Sequence, residues 1–155
     1  MEELNMNTLL KWFSVVDRFS KLYLDKQLAA HGINSSQHMF LIKICENPGI
    51  LQDALIDTIY LHPSNIVRTV ASLENKKLLI RKPCEEDKRT CRLYPTDQAM
   101  AMIADVEAAC AQTETVLLQG LSNEERVAFE KSLMLIGKNI TSAMKVYREE
   151  DEFDA

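Results

Sequence analysis

Glycine and proline are scarce, four of each in 155 residues, which leaves little room for long irregular loops. No stretch approaches the roughly 18 apolar residues that a membrane span requires. The N-terminal MEELNMN is acidic and lacks the apolar core of a secretory leader, so a cytoplasmic location is expected. There is no glycine-rich phosphate loop and no nucleophile elbow, and the carboxylates fall on charged helix faces or in the acidic tail. The expectation is a protein that is not an enzyme and needs no cofactor.

Metal and thiol chemistry are thinly provided for. The three histidines, His31, His38 and His62, make no H-x-x-x-H, and the four cysteines make no C-x-x-C, so no metal site is assigned. His31 and His38 could approach across the first helix junction, which keeps a transition-metal sensor as the lesser reading; His38 packed or hydrogen-bonded in place is preferred. Cys45, Cys84, Cys91 and Cys110 are even in number, but a cytoplasmic setting disfavours a structural disulfide. Cys84 and Cys91 fall on opposite arms of a predicted hairpin, where Lys88, Arg89 and Arg92 could lower a thiol pKa. A thiol switch is therefore carried as an alternative, behind the reading of two small residues without a redox role.

What the chain does contain is organised around Gly49 to Thr96. A helix is predicted to open at His62-Pro63, because proline at the first helical position loses only a donor that would be unpaired and arrives with a helical φ. It runs to about Lys77. Ile66, Val70 and Leu73 share one side with Val67 at the edge, while Ser64, Arg68, Ala71, Ser72 and Asn75 fall opposite. That outward face is short, polar and singly charged, as suits a helix in a DNA major groove. Ser64, Asn65, Arg68 and Ser72 are the expected contacts, with base reading given to Ser64 and Asn65 at the leading end and a phosphate contact to Arg68.

Beyond Lys77 the pattern alternates, which predicts strands near 79–83 and 90–95 joined by a charged tip. Such a hairpin beside a helix-turn-helix is a wing. It carries Arg81, Lys82, Lys88, Arg89 and Arg92, and Asp87 is spaced to hold the Arg89 guanidinium in one orientation for a minor groove. Between His62 and Arg92 eight Lys or Arg face four acids, a local +4 in a chain whose net charge is −5. An acidic scaffold thus presents a basic face.

The flanks read as long helices. Thr8 is expected to cap the first, which ends near His31 with Gly32 after it, and Asn34 with Gln37 makes a capping box for a second that reaches Glu46. Thr96 caps a helix closed by Gly120, and Ser122 with Glu125 boxes a last helix to about Tyr147. Leu9, Trp12, Phe13, Val16 and Phe19 over-supply the first helix with apolar surface, and Phe129, Leu133, Ile136, Ile140 and Met144 repeat on the last. Residues 1–32 and 97–147 are therefore expected to form a helical homodimerisation part around a winged helix at 33–96, the whole being one domain, with 148–155 a disordered acidic tail.

The run from Ile33 through Thr96 resembles the MarR family of bacterial winged-helix transcription factors, including its SlyA branch. The pieces that carry it are ENPGI at Glu46 to Ile50, L-x-P-S at Leu61 to Ser64, V-R-x-V at Val67 to Val70, L-E-x-K-x-L-I at Leu73 to Ile80 with one extra Leu, and E-D-K-R at Glu86 to Arg89. In order of elements the resemblance extends over roughly residues 7 to 147. It implies a mainly α fold with a small β wing, and it gives Asp87 and Arg89 the family's D-x-R wing roles. It also implies a dimeric regulator, expected to be a repressor on a palindromic operator. A small aromatic or anionic effector would sit between the first two helices and the base of the winged helix. Trp12, Phe13, His38, Met39 and Phe40 could line such a pocket. Tyr60 and Lys77 depart from the family by standing where it often has glycine. A winged-helix protein-interaction module without DNA binding is the alternative from another class.

Overall fold

The computed structural model of the protein describes residues 6–151. Helix α1 spans Met6–Leu28 and passes through a single 3-10 turn, Ala29–His31, to Gly32, which takes the left-handed conformation at φ +71°. Helix α2, Ser35–Glu46, starts on the predicted box: the Asn34 side chain accepts from the Ser36 N–H and the Asn34 N–H donates to Gln37 Oε1. Strand β1 is only Ile50–Leu51, followed by α3, Ala54–Ile59, and α4, Pro63–Asn75. Strands β2, Leu79–Pro83, and β3, Cys91–Pro95, then lead into α5, Asp97–Leu117, and α6, Asn123–Asp151.

Two boundaries differ from the sequence expectation. Thr8 lies inside α1, since Met6 and Asn7 are already helical, so it is not the cap. Helix α6 runs four residues past Tyr147, through Arg148 to Asp151, where no proline or glycine interrupts it. The rest of the expected tail, 152–155, lies outside the described residues. The sheet also has a strand that alternation could not reveal. Its order is β1-β3-β2, antiparallel throughout, with Ile50 opposite Leu93 and Leu79 opposite Pro95.

The residues through Leu117 and those from Leu118 onward form two separate compact units. In the first, the core joins Leu28 of α1, Phe40 and Ile44 of α2, Leu55 of α3, and the α4 stripe Ile66, Val70 and Leu73 to Leu93 and Val106, all almost wholly enclosed. Each such side chain contributes on the order of 1.5–3 kcal/mol by leaving water. The predicted α4 stripe is thus the inner face of that helix. Along α5, Ala99, Met102, Val106, Ala109 and Thr113 are buried, with Ile103 and Cys110 half-buried beside them. In the second unit, α6 begins on its own box: Ser122 N–H donates to Glu125 Oε2 at 2.7 Å and Glu125 N–H to Ser122 Oγ at 3.2 Å.

Helix α4 ends in a Schellman motif without glycine. Leu78 N–H reaches Leu73 O at 3.0 Å, Lys77 N–H reaches Glu74 O at 2.9 Å, and Lys77 sits at φ +60°. Tyr60, after α3, is left-handed too, at φ +59°. For a residue with a Cβ that conformation costs roughly 1–2 kcal/mol. Lys77 is exposed, so Lys77→Gly removes the strain without losing packing, offset in part by the greater freedom of glycine in the unfolded chain. Urea denaturation should show a gain of roughly 0.5–1 kcal/mol; a loss would mean that contacts of the Lys77 side chain hold the turn.

Candidate nucleic-acid interface

The turn between α3 and α4 delivers the start of α4 to the surface. His62 has extended backbone (φ −63°, ψ 139°), Pro63 follows at the first helical position, and His62 Nδ1 accepts the Ser64 backbone N–H at 3.2 Å. Sequence reasoning assigned the proline but not the histidine cap, because histidine is not among the usual capping residues. Ser64, Asn65 and Arg68 are exposed along the face opposite the core, and Val67 is exposed at its edge. Ser72 is turned elsewhere. Its Oγ accepts from Gln37 Nε2 at 2.9 Å, so it faces α2 and is only partly exposed.

On the wing the cations divide into two groups. Arg81 is bound by both Glu74 oxygens, Nε to Oε2 at 3.1 Å and Nη2 to Oε1 at 2.7 Å, which ties β2 to α4. The hydrogen bonds from Arg81 hold the Glu74 carboxyl below its usual pKa. Arg92 donates Nη1 to Gly49 O at 3.1 Å and Nη2 to Glu86 Oε2 at 3.3 Å, tying the tip loop of the hairpin to the residue before β1. Both arginines expected to contact DNA are thereby engaged within the fold. Lys82 lies 4.9 Å from the Tyr94 ring centroid, and Lys88 is exposed at the tip. The Arg89 side chain is 90% exposed, yet it is fixed by Asp87: backbone N–H to Oδ1 at 3.0 Å, Nε to Oδ1 at 3.1 Å and Nη2 to Oδ2 at 3.3 Å.

The wing cysteines do not face one another. Cys91 pairs across the hairpin with Pro83 and donates its thiol to Gln52 Oε1 at 3.3 Å. Cys84, one position beyond that pair and buried, donates to Glu86 Oε2 at 3.0 Å. Burial pushes the Cys91 thiol up, the reverse of the expected activation, with Arg81 opposing it only in part. Both are free thiols.

The five residues expected around an effector are dispersed. Phe40 is sealed in the core, Trp12 (56% exposed), Phe13 and Met39 lie on open surface, and His38 is half-buried with Nδ1 on the Ser35 carbonyl. Burial lowers the His38 pKa, opposed by that carbonyl and by Asp25. A cavity of about 500 Å³ opens instead between α1 and α5, lined by Val16, Phe19, Tyr23, Lys26, Val116 and Leu117 among others, and none of the five reaches it. Trp12 and Phe13 are exposed in the single chain, and Val16, Phe19 and Tyr23, which follow Trp12 at helical spacing, line the cavity. Among the described residues no group of three His, Cys, Asp or Glu is placed to hold a metal ion. No described helix is long and apolar enough to cross a membrane.

A short helix, a turn, a second helix with an exposed polar face, and a charged hairpin rooted on a third strand define a winged helix-turn-helix protein. Residues 31–90 match the model of the MarR family. Over 135 residues the chain is 24% identical to YybA of Bacillus subtilis strain 168, an uncharacterised HTH-type transcriptional regulator, covering 87% of this chain and 90% of the relative. The crystal structure of the transcriptional regulator SlyA is similar at a TM-score of 0.81 and 22% identity, covering 87% of this chain and 95% of that one. A Listeria monocytogenes structure described as a MarR family transcriptional regulator complexed with 26mer DNA is similar at a TM-score of 0.80 and 23% identity, covering 86% and 89%. The likeness to the MarR family thus lies in the winged helix-turn-helix by sequence and over most of the chain by fold.

The bonds from Arg89 hold the Asp87 carboxyl below the usual aspartate range, its side-chain bond being the largest cause. A depressed pKa means that the clasp is intact at neutral and mildly acidic pH and opens only as the pH falls through the lowered value. Carboxyl titration by NMR should therefore place Asp87 below an aspartate in an unstructured peptide, and Arg89→Ala should move it back up. An unchanged midpoint in Arg89→Ala would show that another group sets it.

Proposed function

We propose that the protein is a homodimeric, sequence-specific DNA-binding transcriptional regulator, acting as a repressor on a palindromic operator. The observation that carries this reading is Arg89. An arginine with a 90% exposed side chain gains little stability from an ion pair in water, yet two hydrogen bonds from its guanidinium to Asp87 hold it in one orientation, with a third from its backbone N–H. Such ordering is useful to a ligand that meets the wing from outside. A narrow minor groove, with its negative potential, is that kind of ligand.

The exposed face of α4 supplies the second half of the reading. Ser64, Asn65 and Arg68 would enter the major groove, with Lys82, Lys88 and Arg89 on the flanking backbone and minor groove. Arg81 and Arg92 serve as the braces that aim the wing, and Ser72 as the seat of α4 on α2. The Listeria monocytogenes relative that is described as complexed with 26mer DNA supports the same use of the fold. The family resemblance adds a small aromatic or anionic effector.

A homodimer would set two α4 helices about one DNA turn apart, roughly 34 Å, and so call for a palindromic site. Its support is apolar surface. On α1, Leu9, Leu10, Trp12, Val16 and Phe19 are all about half exposed or more, and α6 shows Phe129, Leu133, Ile136, Ile140 and Met144 as a stripe. Monomers rarely leave surfaces of this kind in water.

Selection of random duplexes with the purified protein should yield an imperfect palindrome. Arg89→Ala should weaken binding to it by about 1–3 kcal/mol while leaving the circular dichroism spectrum unchanged. Equal affinity of the two proteins in a gel-shift titration would remove the wing from the interface, and recovery of no preferred sequence with little salt dependence would favour a protein-interaction module.

Phe19→Glu tests the dimer separately. Phe19 is 57% exposed, so a carboxylate there disturbs no core. Sedimentation should shift from twice the chain mass towards the 17.7 kDa monomer; an undisturbed dimer would exclude the α1 face from the contact.

A further inference from the structure

His62 has a second nitrogen, and the bonds at its first determine what that nitrogen can do. The Ser64 backbone N–H can only donate, and it points at His62 Nδ1 at 3.2 Å. Nδ1 must therefore present its lone pair, and this bond assigns the ring proton to Nε2. Ser64 Oγ lies 2.7 Å from the same Nδ1. With Nδ1 unprotonated, the hydroxyl is the donor in that contact, and its only proton is committed. Both side chains are exposed at the leading end of α4.

Two neighbouring groups that are usually adaptable in hydrogen bonding are thus given fixed and opposite characters. On its outward side the imidazole offers only a donor, Nε2–H. The serine offers only acceptor lone pairs on Oγ. A free serine would accept or donate to either kind of base edge, so this locking converts an indifferent contact into a selective one.

We propose that His62 is a specificity-determining residue of the DNA-binding face, with Nε2–H donating to a purine N7 in each half-site and Ser64 Oγ accepting from an exocyclic amine beside it. Guanine O6 and thymine O4 are acceptors in the major groove as well, but N7 is the one that adenine and guanine share and that a single-atom replacement removes, whereas cytosine presents an N4 donor there. Ser64 accordingly selects adenine N6 or cytosine N4 and disfavours guanine O6 and thymine O4, whose lone pairs would oppose its own. The bonds within the pair also hold the imidazole before DNA arrives, so little freedom is lost on binding. This inference rests on the DNA-binding reading given above.

The test pairs a protein variant with an altered base. His62→Ser retains a good helix cap but is too short to reach the groove and has no ring donor. Operator duplexes are prepared with 7-deazapurine, which replaces N7 by a carbon, at one purine position at a time. The wild-type protein should lose on the order of 3- to 10-fold in affinity at one purine per half-site, the worth of one hydrogen bond. His62→Ser should bind the natural and 7-deaza duplexes equally at that position while remaining sensitive elsewhere. A penalty that persists unchanged in His62→Ser, or the absence of any N7-sensitive position in the wild type, would overturn the assignment. If His62→Ser does not fold by circular dichroism, His62→Thr keeps the cap with the same loss of the donor. Failure of the wild-type protein to select any sequence would instead count against DNA binding itself, and so is a different result.

Discussion

One ammonium group fixes the seat of α4. Lys76 Nζ donates to the Gly32 carbonyl at 2.7 Å and to Gln37 Oε1 at 2.9 Å, while Gln37 Nε2 donates to Ser72 Oγ at 2.9 Å. Gln37 is only 5% exposed, and a buried amide left without partners costs about 1–3 kcal/mol. Its polar atoms are satisfied only when the end of α4, the start of α2 and the turn after α1 stand in one arrangement. The apolar stripe of α4 is tolerant of small rotations; this network is not. It sets which residues of the helix look outward.

The same logic of internal pairing separates the basic residues of the wing. Arg81 and Arg92 neutralise Glu74 and Glu86 and join the hairpin to α4 and to the Gly49 carbonyl. Lys88 and Arg89, in the loop beyond the strands, present their charge to the outside. A count of cations over the segment, +4 between His62 and Arg92, therefore overstates the field available to a polyanion, and the internal partner of each cation matters more than number. Asp87 is the exception that clarifies the arrangement: it sits at the tip and orients a cation without anchoring it to the core.

How much of this could be read from the chain follows from the range of each signal. The boxes at Asn34 with Gln37 and at Ser122 with Glu125, the proline start of α4 and its inner stripe are local patterns, and all four are present in the structure. The hairpin strands were legible by alternation. Strand β1 was not, because two residues cannot alternate, and its pairing with β3 is a contact across some forty positions. The engagement of Ser72 by Gln37, 35 positions apart, was hidden for the same reason, and that of Arg81 by Glu74 because it joins a helix to a strand and so follows no single period. The five residues expected around an effector are scattered in exposure because apolar residues at helical spacing do not say whether they turn to a core, to a cavity or to open surface. Trp12 and Phe40 look alike in sequence and lie at opposite extremes of exposure.

The close approach at Gly49 ties backbone at one end of the sheet to charge at the other. A Cβ on Gly49 would lie 3.2 Å from the Tyr94 hydroxyl, at a backbone φ of +89°, and the same Tyr94 ring carries Lys82 over its face. A side chain at 49 would stand in a strained backbone and press the Tyr94 ring to give by a few tenths of an ångström, so the bare Cα of Gly49 helps to seat the aromatic surface on which Lys82 rests.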